Sequence, residues 1–197
     1  MAGTVGSGQT ATETREVSGF TRIRFTGVGI LNITQTGTES LTVSADDNLL
    51  PMIVTRVRGG VLELGMEGHA TITPKTRITF TLTIKSLDNI ELSGAASIHA
   101  NDIHTDTLDV NFSGAGKMEI TGSAQRQTLL VSGAGAYEAK DFKTAVTDAR
   151  ITGAGYAHVY ASETLDAKVS GVGKITYYGP AQVYPKVSGI GSIKPGR

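Results

Sequence analysis

The clearest pattern in the chain is a strict alternation. Between residues 78 and 84, Ile78, Phe80, Leu82 and Ile84 are interleaved with Thr79, Thr81 and Thr83. Successive side chains on a strand point to opposite faces, so this run predicts a strand with one dry face and one wet face. Shorter apolar patterns precede it: Phe20, Ile23 and Phe25, then Leu31 and Ile33, then Leu41 and Val43. Residues 52–57 and 61–64 flank Arg58-Gly59-Gly60, whose glycines accept positive φ and predict a hairpin. Asp46-Asp47-Asn48 stands before Leu49-Leu50-Pro51 and predicts a turn, or one helical turn with a side-chain cap. Residues 66–76 read as a loop. No amphipathic helical period occurs anywhere.

From residue 93 the alternation is organised by a recurring tetrapeptide. Ser113-Gly114-Ala115-Gly116 returns as Ser132-Gly133-Ala134-Gly135, Thr152-Gly153-Ala154-Gly155, Ser170-Gly171-Val172-Gly173 and Ser188-Gly189-Ile190-Gly191. An imperfect copy starts at Ser93 and an outlying one occupies 26–29. The steps from Ser93 onward are 20, 19, 20, 18 and 18 residues, the mark of stacked repeats. Just before the Ser or Thr stand Leu92, Phe112, Val131, Ile151, Val169 and Val187, and five after it stand Ile98, Met118, Tyr137, Ala157, Ile175 and Ile193. The neighbouring columns are mostly polar, such as Glu91, Asn111, Arg150, Lys168 and Lys186. Period-two alternation on both sides of a Gly-rich corner means two short strands per repeat, each burying a face that only the next repeat can cover.

The predicted fold is therefore all-β: a right-handed β-solenoid, or β-helix-like stack, of 18–20-residue coils with an N-terminal β-rich segment. The expected division is a flexible lead over 1–16, an N-terminal β segment over 17–92 and solenoid repeats over 93–197. The copy at 26–29 suggests that the N-terminal segment begins the same winding, with 78–84 paired to it. In each corner the glycines allow close backbone approach, the third residue is expected to point inward, and the hydroxyl can satisfy a backbone group.

These residues resemble a known family. The Ser-Gly-Ala-Gly ladder, the stretch Glu13-Thr14-Arg15-Glu16-Val17-Ser18-Gly19-Phe20 and the stretch Ala45-Asp46-Asp47-Asn48-Leu49-Leu50-Pro51 are together similar to the bacterial GIN-domain family. That family is also called DUF2807, the autotransporter-adhesin head domain. Gly29-Ile30-Leu31-Asn32-Ile33-Thr34-Gln35 is similar to the segment that gives the family its name, and Tyr177-Tyr178-Gly179-Pro180 also fits. The resemblance spans about residues 13 to 194. It implies a solenoid-like β fold exported to the cell envelope or beyond, and it supplies no catalytic residues. Met1-Ala2-Gly3 leads into small polar residues without a signal-like apolar run, so this is read either as a native start or as a start following a removed export signal.

Composition narrows the chemistry. Lys and Arg number 18 and Asp and Glu 18, which removes the electrostatic case for nucleic acid. No stretch approaches the ~20 apolar residues of a spanning helix, so membrane insertion is not expected. Cysteine is absent, which excludes disulfides and thiolate metal sites or nucleophiles. No Gly-x-Ser-x-Gly elbow, phosphate loop or calcium-type aspartate column occurs, so no cofactor and no metal are expected.

One outward column runs His99, Glu119, Glu138, His158. Stacked coils would put Glu119 beside Glu138 at ~4.8 Å, near the separation of a retaining glycosidase's carboxylates. The alternative is an ordinary solvated face. His99 and His158 stand three coils apart and cannot share one metal ion. Near the C-terminus Lys168 and Lys186 fall in one outward column, either as a solubilising edge or as an anion or polysaccharide site. The expected function is a non-catalytic envelope or surface module, an adhesin or a binder of a surface polymer or protein, with self-association open. The weak binding candidates are Glu119, Glu138, His158, Lys168 and Lys186. The alternatives are a glycoside-cleaving enzyme using Glu119 and Glu138, and a purely architectural domain.

Overall fold

The computed structural model describes residues 3–68 and 71–197. It is a β-solenoid of about 5 turns. Two long stacks of parallel strands make its main sides. The first stack contains Val28–Gln35, residues 95–100 and 115–120, and then Ala134–Glu138, Ala154–Tyr160, Val172–Tyr178 and Ile190–Pro195. The second contains Val61–Met66, Arg22–Phe25, Asn89–Leu92, residues 107–112, 126–131 and 146–151, and then Thr164–Val169 and Gln182–Val187. A short third side joins them through 103–105, 122–124 and 142–144.

The expected inward columns form the core except in the last coil, where Val187 is exposed and Ile193 only half-buried. Ile98, Met118, Tyr137, Ala157 and Ile175 are fully buried, as are Phe112, Val131 and Ile151. The N-terminal segment continues both stacks rather than lying against them. Val28–Gln35 pairs in parallel with 95–101 on one edge and with Thr79–Ile84 on the other. The 58–61 hairpin forms as the glycines require, with Gly59 and Gly60 at φ 54° and 75°.

The corners depend on backbone contact between coils. A Cβ built on Gly114 would lie 2.0 Å from the Gly94 carbonyl oxygen, and one on Gly133 would lie 2.1 Å from that of Gly114. Only glycine lets consecutive corners approach to hydrogen-bonding distance. The Ser113 hydroxyl donates to the Leu92 carbonyl at 3.3 Å, as the sequence implied. The third corner residue corrects the expectation. Ala95, Ala115, Ala134 and Ala154 are exposed, and Val172 and Ile190 are 60% and 79% exposed. Coil-to-coil contact is made through the glycine, so the following Cβ projects off the corner into solvent.

The lead also needs correction. Thr10–Arg15 is a strand paired antiparallel with Ser40–Asp46, and Thr4–Val5 pairs with Ile72–Thr73 inside the expected loop. Residues 1–2 and 69–70 lie outside the described residues. Backbone pairing and a few side-chain hydrogen bonds order this polar arm, which contributes little but Ala11 to the core. Asp46 fastens it. Its side chain is fully buried and accepts backbone N–H bonds from Gly8 at 2.6 Å and from Lys75 and Thr76 at 3.0 Å. The Asp46-Asp47-Asn48 run therefore does not cap the 3-10 turn Leu50–Met52, whose N-cap is Leu49 with no side-chain bond. Arg15 lies over that turn and donates to the Leu50 carbonyl at 2.9 Å.

Burial pushes the Asp46 carboxyl up, but the hydrogen bonds from Thr76, Gly8 and Lys75 outweigh it and hold its pKa below the usual carboxylate range. A folded pKa below the unfolded one adds stability that is complete above about pH 4 and lost as pH falls through the folded value. Asp46→Asn should therefore melt several degrees below the parent at pH 7, with the gap narrowing towards pH 3 as the parent's carboxyl protonates. A gap unchanged with pH would refute the assignment.

Coil size changes along the stack. With coils one to five starting at Ala95, Ala115, Ala134, Ala154 and Val172, coil three takes eight residues between Glu138 and Val146, whereas their partners His158 and Thr164 are six apart. The third side shrinks there and leaves a ledge with a hollow of about 440 Å³, lined among others by Ser123, Gln125, Lys143, Tyr160 and Glu163. In the last coil Pro185 stands in register with Ala167 and Pro195 with Tyr177.

Candidate ligand-binding face

The outer face of the first stack carries the expected column. His99 pairs with Glu119, Glu119 with Glu138, and Glu138 with His158 as register partners in consecutive coils. Thr176 and Lys194 extend the row. The inward alternates of these strands fill the core, so the column lies on the outer side of the sheet, where Thr176 is nevertheless covered.

The two carboxylates are already engaged. Glu119 Oε2 lies 2.9 Å from His99 Nδ1, and Glu119 Oε1 is paired with Lys117. Glu138 Oε2 lies 2.8 Å from His158 Nδ1. The hydrogen bond from Lys117 outweighs partial desolvation and holds the Glu119 carboxyl below its ordinary range, while the same bond raises the Lys117 ammonium. A general acid needs the opposite shift. A shallow cleft of about 360 Å³ separates coils two and three here, between Lys117, Glu119 and Thr121 on one side and Glu138, Lys140 and Asp141 on the other.

Lys168 and Lys186 are register partners, but on the second stack, so the structure does not bring them to the His–Glu column. Arg150 precedes them in the same row. Arg150 makes a two-pronged contact with Asp148 at 2.9 and 3.0 Å, and Lys168 lies 3.1 Å from Asp166. Tyr184 occupies the acid's place beside Lys186, so no side chain on its own strand neutralises it.

Beside the column lies an aromatic group that the sequence reading, which considered Tyr156 singly, did not assemble. Tyr156, His158 and Tyr160 alternate along Ala154–Tyr160, and Tyr178 is the register partner of Tyr160. The His158 ring centroid lies 5.5 Å from that of Tyr156 and 6.1 Å from that of Tyr178. Lys140 Nζ lies 4.8 Å from the Tyr178 centroid and Lys143 Nζ 4.1 Å from that of Tyr160. Partial burial, and then the hydrogen bond to Glu138, push the Tyr156 phenol up. The signal was available in the alternation Tyr156-x-His158-x-Tyr160, with Tyr178 one repeat later.

Among the described residues, no group of three or more His, Asp or Glu side chains is arranged to hold a metal ion. No described helix is long and apolar enough to cross a membrane.

A solenoid of this topology with Gly-cornered coils defines a recognisable class. Residues 19–181 match the family described as "Putative auto-transporter adhesin, head GIN domain". The chain belongs to that DUF2807 family. A search of curated proteins returns no match. Among solved structures the chain resembles a putative adhesin from Bacteroides fragilis, with 26% identity, a TM-score of 0.82, and coverage of 98% of this chain and 100% of that one. A putative adhesin from Parabacteroides distasonis shares the fold at 23% identity and a TM-score of 0.64, covering 99% of this chain and 100% of that one. A protein from the same species described as a putative lipid binding protein does so at 22% and 0.63, covering 98% and 99%.

Proposed function

We propose that the protein is a non-catalytic surface module that holds a polymer or a protein partner at the cell envelope or outside the cell. One observation carries this reading. The outward column is a continuous face in which, among the described residues, the two neighbouring carboxylates, Glu119 and Glu138, are occupied by His99, Lys117 and His158. A solenoid presents such a face at constant spacing over many coils, which suits an extended partner better than a small substrate. Membership of an adhesin family and the description of the Bacteroides relative as a putative adhesin support surface placement and binding.

The test is retention of purified protein on envelope fractions and intact cells, with reducing-sugar release followed in the same samples. Binding without release is the expected result. Release that disappears in Glu119→Gln would overturn this reading in favour of glycoside cleavage by Glu119 and Glu138. Absence of both binding and release would leave an architectural role as the better account.

A further inference from the structure

We propose that the strip formed by Tyr156, His158, Tyr160 and Tyr178 is a binding platform for a neutral glycan chain. The proposal rests on the surface-binding reading above and gives its ligand a chemical class.

The strip is built from consecutive outward positions. Its backbone is fixed by parallel pairing of Ala154–Tyr160 with the strands on either side. Ala157 and Val159, the inward alternates, are fully buried and anchor it from below. At ~3.3 Å per residue, the run from 156 to 160 extends about 13 Å, longer than a single sugar ring. Tyr156 is 39% exposed, far more than a tyrosine kept for packing, whereas the core's Tyr137 is fully buried. Aromatic faces offer large, rigid apolar area with a polar tip, which suits the C–H faces and hydroxyl rims of pyranose rings.

The border of the strip supplies polar partners. Coil three overhangs the narrower coil four at the ledge, and its Lys140 and Lys143 reach back over Tyr178 and Tyr160. An exposed cation–π contact is weak and easily exchanged. A sugar ring can take the place of an ammonium on the tyrosine face, and the displaced ammonium is left beside the ring's hydroxyls. Glu138 and His158 add an acceptor and a second donor or acceptor at the centre of the strip. The charge is balanced: Lys117, Lys140, Lys143 and Lys174, the last in register with Tyr156, stand against Glu119, Glu138, Asp141 and Glu163, the last beside Tyr160 in the ledge hollow. A patch without net charge gives no attraction to a polyanion, so the ligand class is neutral.

The experiment is affinity electrophoresis of the whole protein through gels holding soluble starch, a β-glucan or a galactomannan. Hyaluronan serves as the polyanion. Affinity for any retarding polysaccharide is then measured by intrinsic fluorescence, which reports tyrosine alone because the chain has no tryptophan. Retardation by at least one neutral polysaccharide is expected, with a change in tyrosine emission. Tyr156→Ala should weaken it at least tenfold without lowering the melting temperature, and Tyr178→Ala should weaken it similarly. Tyr184→Ala, which removes a more exposed tyrosine on the other stack, should leave the affinity unchanged. Undiminished retardation of the Tyr156→Ala, Tyr178→Ala double variant overturns the proposal, as does retardation by hyaluronan alone. If no gel retards the protein while envelope fractions still retain it, the glycan platform fails and the surface-module reading stands. If envelope retention fails too, both fall.

Discussion

Gly114→Ala is expected to cost about 3 kcal/mol or more of stability, at the upper end of what overpacking does in protein cores. The new methyl would sit 2.0 Å from the Gly94 carbonyl oxygen and 2.9 Å from the Ser93 carbonyl carbon. Neither neighbour is a side chain that can swing away. Both belong to the preceding corner, and Gly114 and Ala115 donate to the Leu92 and Gly94 carbonyls, each at 3.0 Å. Relieving the clash therefore means separating two coils. Solenoid stability is close to a sum of coil strengths and coil–coil interfaces, so position matters. Gly189→Ala meets the Gly171 oxygen at 2.2 Å in the last corner and should fray that coil with a smaller global loss. Ala115→Ser, on the exposed third corner position, should be neutral. Urea unfolding of the three variants tests the account, which fails if Gly114→Ala loses less than Gly189→Ala.

Tyr137→Ala is the second large effect, expected to cost roughly 3–5 kcal/mol as a buried aromatic truncation. Tyr137 fills the inward column where its counterparts are Met118 and Ala157, and it is fully buried. Its hydroxyl accepts a hydrogen bond from Gln127, itself fully buried in the column otherwise held by Leu108, Thr147 and Leu165. Burial pushes the phenol's pKa well above its ordinary value, so it stays neutral at any working pH. Removing the hydroxyl alone strands the Gln127 amide, whose Oε1 already has no protein partner. Tyr137→Phe should thus cost about 1–3 kcal/mol. Adding Gln127→Leu should return much of that loss, because an apolar pair needs no hydrogen bond. A double variant no more stable than Tyr137→Phe would show that the pair is not coupled.

The columns of the solenoid were legible because a period-two pattern and a fixed repeat leave one way to face each residue. Ile98, Met118, Tyr137 and Ala157 read as core from sequence and are core. The His99–Glu119–Glu138–His158 row followed from the same register. What stayed hidden depended on information outside the pattern. Thr10–Arg15 is held by backbone bonds to a strand 30 residues away, which polar side chains do not announce. Asp46 looked like a local cap because its neighbours favour turns, yet its partners Gly8, Lys75 and Thr76 are distant in sequence. The third corner residue was misread because smallness fits an inward bend and an exposed ridge equally well. Tyr156 and Tyr160 fell in outward columns adjacent to the one that drew attention, and the lysines over Tyr160 and Tyr178 arrive from a different coil.

The prolines of the last coil bear on a hazard common to every stack of parallel strands. Along Gln182–Val187 the even-numbered amides turn back, as Gln182 does to Glu163, so the odd-numbered residues turn forward. Along Ile190–Pro195 the same parity holds, since Ile190 donates back to Gly171. Pro185 and Pro195 therefore occupy forward-facing positions and offer no N–H there. A coil arriving from any source would find a donor missing on both main sides, with Lys186 and Lys194 alongside. A parallel β stack is in effect a template, and self-templating growth is what turns such surfaces into fibres. On the forward face of the coil at 182–195 the template lacks one backbone donor on each main side by covalent structure, an interruption that does not depend on pH, salt or the presence of a partner.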